Sequence, residues 1–102
     1  MKKYIAFIGL NDKETKKQEV STLDAFKVVS NLACVHIGYG TITESKGIYT
    51  HDNGEIVEET TLRCEFSGAD LESVKAFCKA AKDALNQESI GLECVESQFD
   101  FI

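Results

Sequence analysis

The chain has 102 residues, 43% of them hydrophobic and 27% charged, enough for one core and too few for two. Residues 1–102 are therefore expected to form a single domain. Acidic residues outnumber basic ones by 17 to 11 for a net charge of −6, and the only arginine is Arg63, a composition that excludes a general nucleic-acid binder.

No apolar run approaches the ~20 residues that a transmembrane helix needs, so no membrane partner is expected. Met1-Lys2-Lys3 precedes a short apolar stretch without a small-residue cleavage site, which reads as a strand and not as a signal peptide. A cytoplasmic location follows as the expectation. Tyr4 to Leu10 is apolar on both alternating faces, the pattern of a central strand. A polar connection, Asn11 to Val20, follows. Ser21 and Asp24 have capping-box spacing, and Leu23, Phe26, Val29 or Ser30, and Ala33 predict a first helix from about Thr22 to Leu32.

Tyr39 to His51 and Glu55 to Phe66 read as two strands joined by Asp52-Asn53-Gly54, a reversal signal because Asn and Gly tolerate positive φ. In the return strand Leu62, Cys64 and Phe66 point one way, while Glu59, Thr61, Arg63 and Glu65 point the other. Gly38-Tyr39-Gly40 reads as a flexible aromatic hinge. Ser67 to Asp70 breaks the strand and caps a second helix, whose stripe is Leu71, Val74, Cys78, Ala81 and Leu85 with Phe77 beside it. Asn86-Gln87-Glu88 leads to a last strand in which Ile90, Leu92 and Cys94 alternate with Gly91 and Glu93. Gln98 to Ile102 also alternates and is expected to stay attached to the fold or to a partner.

The order β-α-β-β-α-β implies the ferredoxin-like α+β arrangement, a four-stranded antiparallel sheet with two helices on one face. The first and last strands are expected at its centre. Whichever register holds, Ile5 and Phe7 or Tyr4 and Ile8 must lie on the face without helices. A large apolar patch there would call for a second copy, so a homodimer or higher homo-oligomer is expected.

Cys34, Cys64, Cys78 and Cys94 form no C-x-x-C pair, and they read as free thiols used mainly as small hydrophobes. Cys34-Val35-His36 would place two metal ligands on one strand face, but no second pair accompanies it, and neither metal nor cofactor is expected. Phosphate-loop and dinucleotide-binding glycine motifs are absent, and Ser21 and Ser89 lack an acid-histidine pattern for nucleophilic catalysis.

The remaining polar residues suggest a binding site. Lys13, Lys16 and Lys17 make the one basic cluster, beside Asn11 and Gln18, either as a solvated loop or as a mobile anion-binding one. Tyr49 and His51 share a strand face, supplying a stacking surface and a group able to hydrogen-bond a ligand or transfer a proton. Glu59 and Arg63 share another, either as an ion pair or around a ligand. These residues suit a small anionic, nucleotide-like ligand bound between subunits.

Gly47-Ile48-Tyr49, Asp52-Asn53-Gly54, Glu59 and Asn86-Gln87-Glu88-Ser89-Ile90 together resemble a little-characterised family of small ferredoxin-like α+β proteins of bacteria and their phages. The likeness runs from Gly9 onward and is best at Gln87-Glu88-Ser89. It implies the fold and carries no reaction. The reading is therefore a non-catalytic binder that sequesters a nucleotide-derived signal, such as a second messenger of host defence. A protein-interaction module and a small dimeric α+β barrel enzyme stand as alternatives.

Overall fold

A computed structural model describes residues 1–102. The elements follow as β1 (Lys2–Gly9), α1 (Thr22–His36), β2 (Thr41–Thr50), β3 (Ile56–Ser67), α2 (Leu71–Ala84) and β4 (Gly91–Glu96). The sheet order is β2-β3-β1-β4 and every pairing is antiparallel. This is the expected α+β architecture, with one correction: the last strand is an edge, and β3 joins β1 at the centre. The twelve-residue β3 pairs with β2 on one side and β1 on the other, whereas the six residues of β4 pair only with β1. Cys94 and Leu92, expected to be apolar core positions, are consequently exposed.

The core lies between the sheet and the helices. Tyr4, Ala6 and Ile8 from β1 and Leu62, Cys64 and Phe66 from β3 meet Ala25, Val29 and Ala33 from α1 and Val74, Phe77 and Ala81 from α2. Phe77 stands at the centre of its helical face, not beside it, and packs edge-to-face on Phe66 with ring centroids 5.1 Å apart. In α1 the buried stripe is made of the small residues Ala25, Val29 and Ala33, leaving Leu23 and Phe26 exposed.

The first helix also runs four residues beyond the expected end at Leu32, because nothing in Ala33-Cys34-Val35-His36 breaks it. Gly38 stops it with φ +101°, a conformation that costs glycine little. Cys34 and His36 thus lie two residues apart on a helix and do not share a face. The neighbouring Tyr39 is anchored, its hydroxyl donating to the Ser67 carbonyl at 2.6 Å. Both N-caps act as the sequence implies: Ser21 Oγ accepts from the Asp24 amide, and Asp70 accepts from the amides of Glu72 and Ser73.

The face without helices is more polar than expected. Ile5 shares it with Lys3, Arg63, Glu65 and Glu93, and Glu65 pairs with both Lys3 at 3.2 Å and Arg63 at 3.0 Å. Ile5 is only 3% exposed, covered by the stems of these neighbours, and Phe7 is the apolar residue of β1 left open at this face. The large bare patch that argued for a second copy is therefore not present. The tail beyond Glu96 leaves the sheet, with Phe99 and Phe101 meeting edge-to-face and exposed. No helix is long and apolar enough to cross a membrane.

Candidate functional site

A cavity of about 370 Å³ opens at the end of the sheet where β1 finishes, at the lower end of the size range for small-molecule sites. Three segments distant in sequence build it: the loop after β1, the β2–β3 hairpin, and the turn between α2 and β4.

The loop is folded on itself and fastened to α2. Asp12 organises it: Oδ1 accepts from the amides of Glu14 and Thr15, at 2.8 and 3.2 Å, and Oδ2 accepts from the Asn86 side chain at 2.9 Å. The Asn86 bond, with the two amides, holds the Asp12 carboxyl below its ordinary pKa. The Asp12 amide donates to the Lys17 carbonyl, the Lys13 amide donates to the Asn86 carbonyl, and Lys16 adopts φ +62° to close the loop. Lys16 Nζ donates to the Lys13 carbonyl at 2.6 Å. The connection, read from the sequence as either a solvated or a mobile anion-binding loop, is thus held by its own carboxylate and by a residue 74 positions away.

Asn86 can do this because it ends α2 in the left-handed region, at φ +50°, which Asn tolerates better than most residues. The Gln87 amide returns to the Lys82 carbonyl and the Asn86 amide to Asp83, a Schellman-type ending. That ending directs Gln87 inward, where it is 6% exposed. Its Nε2 donates to the Asn11 and Leu85 carbonyls at 2.9 and 3.2 Å. Glu88 and Ser89 follow along the cavity rim.

The hairpin supplies Tyr49, His51 and Glu59. Tyr49 and His51 meet edge-to-face with centroids 5.3 Å apart. Asp52-Asn53-Gly54 makes the reversal, Gly54 standing at φ +88° and Asn53 Oδ1 accepting from the Glu55 amide. Glu59 reaches across β1, and its Oε2 accepts from the Asn11 amide at 2.9 Å.

Six of the nine residues singled out in the sequence converge here: Asn11, Lys13, Lys16, Tyr49, His51 and Glu59. Lys17, Gln18 and Arg63 do not line the cavity. The Gln18 side chain bonds the Val20 carbonyl and the Thr22 hydroxyl, serving the start of α1. Arg63 is paired with Glu65 instead of Glu59, since Glu59 is drawn to the end of the strand. Asp12, Gln87, Glu88 and Ser89 were not foreseen as lining residues. For the last three the signal was the Gln-Glu-Ser motif, whose place in space the sequence alone did not give. The charged lining is Asp12, Glu59 and Glu88 against Lys13 and Lys16, three carboxylates to two ammonium groups. Such a lining suits a ligand carrying both signs better than a simple anion. No group of three His, Cys, Asp or Glu side chains is arranged to hold a metal ion.

No protein-family model matches the chain, and no curated protein matches it. Among solved structures it is similar to a phage SAM lyase in complex with S-methyl-5′-thioadenosine, with a TM-score of 0.69 and 21% identity over 93% of this chain and 80% of that one. It is equally similar to a phage SAM lyase in the apo state, with a TM-score of 0.68 and 21% identity over 92% and 78% of the two chains. At this identity the likeness establishes a shared fold, one used by small phage proteins.

Proposed function

We propose that the cavity binds a small adenosine-derived sulfonium compound of the SAM type and cleaves it to S-methyl-5′-thioadenosine. The observation that carries this reading is the mixed-charge lining in a chain with the fold of a phage SAM lyase. SAM bears an ammonium, a carboxylate and a sulfonium. Lys13 and Lys16 suit the carboxylate, Glu59 and Glu88 suit the cationic groups, and Tyr49 with His51 offers the purine a stacking surface.

Forming the thioether breaks the bond between sulfur and the first methylene of the amino-acid chain, and the electron pair passes to sulfur. As that bond breaks, the carbon is either attacked by the fragment's own carboxylate, closing a lactone, or the neighbouring carbon gives a proton to a base and a double bond forms. In both cases the charge on sulfur disappears, so holding the chain folded toward the reacting carbon contributes more than attracting the sulfonium. Glu59, with one oxygen held by the Asn11 amide, is the carboxylate best fixed for that task.

The binder expected from the sequence would use the same cavity for an anionic, nucleotide-derived ligand and leave it intact. A homo-oligomer belongs to the same reading. On the hairpin face opposite Tyr49 and His51, Ile48 and Ile56 are 71% and 72% exposed and offer a second copy an apolar contact. Incubating the purified chain with SAM and separating the products tests the proposal. Accumulation of S-methyl-5′-thioadenosine, reduced in Glu59→Gln, is expected. SAM bound but unconsumed would replace cleavage by sequestration, and no interaction with either compound would refute both.

A further inference from the structure

Glu59 enters the cavity from β3, yet its carboxylate lies over the neighbouring strand. A β-carbon placed on Gly9 would sit 2.5 Å from both Cδ and Oε1 of Glu59, closer than unbonded atoms can approach. Gly9 belongs to β1 and is not among the glycines with positive φ, so its backbone conformation is open to any residue. A turn does not require this glycine; the side chain lying over it does. From that place Glu59 Oε2 reaches the Asn11 amide at 2.9 Å, while Oε1 has no partner in a hydrogen bond or ion pair within the chain.

We infer that Gly9 is a positioning residue: its missing side chain is the slot that seats the Glu59 carboxylate against the Asn11 amide and leaves the other oxygen for a ligand. This rests on reading the cavity as a ligand site. The obstacle that Gly9→Ala creates meets the far end of a flexible side chain, so Glu59 can swing away and the fold can persist. The substitution therefore acts on the site through Glu59 alone.

The test is a double-mutant cycle with Gly9→Ala in the native and Glu59→Ala backgrounds. The readouts are the Asn11 amide proton resonance and calorimetric affinity for S-adenosylhomocysteine, a thioether that keeps the amino-acid chain of SAM and lacks its sulfonium leaving group. In the native background the amide should move upfield as its bond to the carboxylate is lost, and affinity should fall roughly tenfold or more, as expected for a charged hydrogen bond. In the Glu59→Ala background Gly9→Ala should change neither. Equal effects in both backgrounds, or an Asn11 amide unmoved by Gly9→Ala, would overturn the slot. Should Gly9→Ala fail to fold, a folded double variant supports the slot and an unfolded one refutes it. Absence of S-adenosylhomocysteine binding to the unmodified chain overturns the ligand reading instead. The two failures are distinct, because the amide measurement needs no ligand.

Discussion

Two cavities sit at opposite ends of the same sheet, and the larger is the less charged. The one beside the start of β1, about 670 Å³, is lined by Met1, Tyr39, Phe99 and Phe101 among others. Its aromatic pair, Phe99 and Phe101, is a contact between residues two apart. The one beside the end of β1, about 370 Å³, is held by bonds from Glu59 to Asn11, Asn86 to Asp12 and Gln87 to Asn11, spanning 48 to 76 positions. The larger cavity is also tied by contacts between distant residues, Met1 with Ser97, Tyr39 with Ser67 and Lys3 with Glu65. Mixed-charge lining, and not volume, distinguishes the candidate site.

The largest effect should come from the core on which both ends depend. Phe77→Ala removes a fully buried ring and should cost about 3–5 kcal/mol in chemical denaturation. It should weaken the two ends together. A loss of thioadenosine binding from a variant that remains fully folded would place Phe77 in the site instead.

Next comes the fastening of the loop. Asn86→Ala deletes the bond to Asp12 and puts alanine into a left-handed position, with an expected loss of about 1–3 kcal/mol. Amide exchange should accelerate in residues 12–17 and stay unchanged around Tyr39. Uniform acceleration would show that the two ends are not independent.

Acid should sharpen the comparison further. The Asp12 carboxyl is lowered by its bonds to Asn86, Glu14 and Thr15, so the stabilisation is complete above the ordinary value of 3.8 and is lost as pH falls through the lowered one. Asp70 behaves alike at the start of α2, lowered first by the Ser73 side chain. In an acid titration the amides of Glu14 and Thr15 should report loosening of the loop before global unfolding. The smallest effect concerns the thiols. Burial pushes Cys64 up to about 12 and raises Cys78. Alkylation of the native protein should therefore reach the exposed Cys34 and Cys94 and spare Cys64.

Much of this was legible in the chain itself. The alternation through Leu62, Cys64 and Phe66 set the buried face of β3, and Ser21, Asp70 and Asp52-Asn53-Gly54 marked the caps and the hairpin turn. Local signals could not tell which of β3 and β4 lies at the centre, since that depends on pairing across distant segments. They also left the two faces of β1 undecided, because apolar alternation does not reveal that charged stems from β3 cover Ile5. In the site, residue type pointed to Lys13, Tyr49, His51 and Glu59. Gln87 was missed as a lining residue because its direction is set by the left-handed Asn86 before it. Arg63 was misjudged as a companion of Glu59 because a shared strand face does not fix which partner a long side chain takes.

The most direct test is to add S-methyl-5′-thioadenosine to the isotopically labelled protein and map the amides that move. Shifts confined to residues 11–16, 49–51, 59 and 87–89 are predicted, with none around Tyr39 and Phe99. Shifts centred on the larger cavity, or none at saturating ligand, would contradict the account.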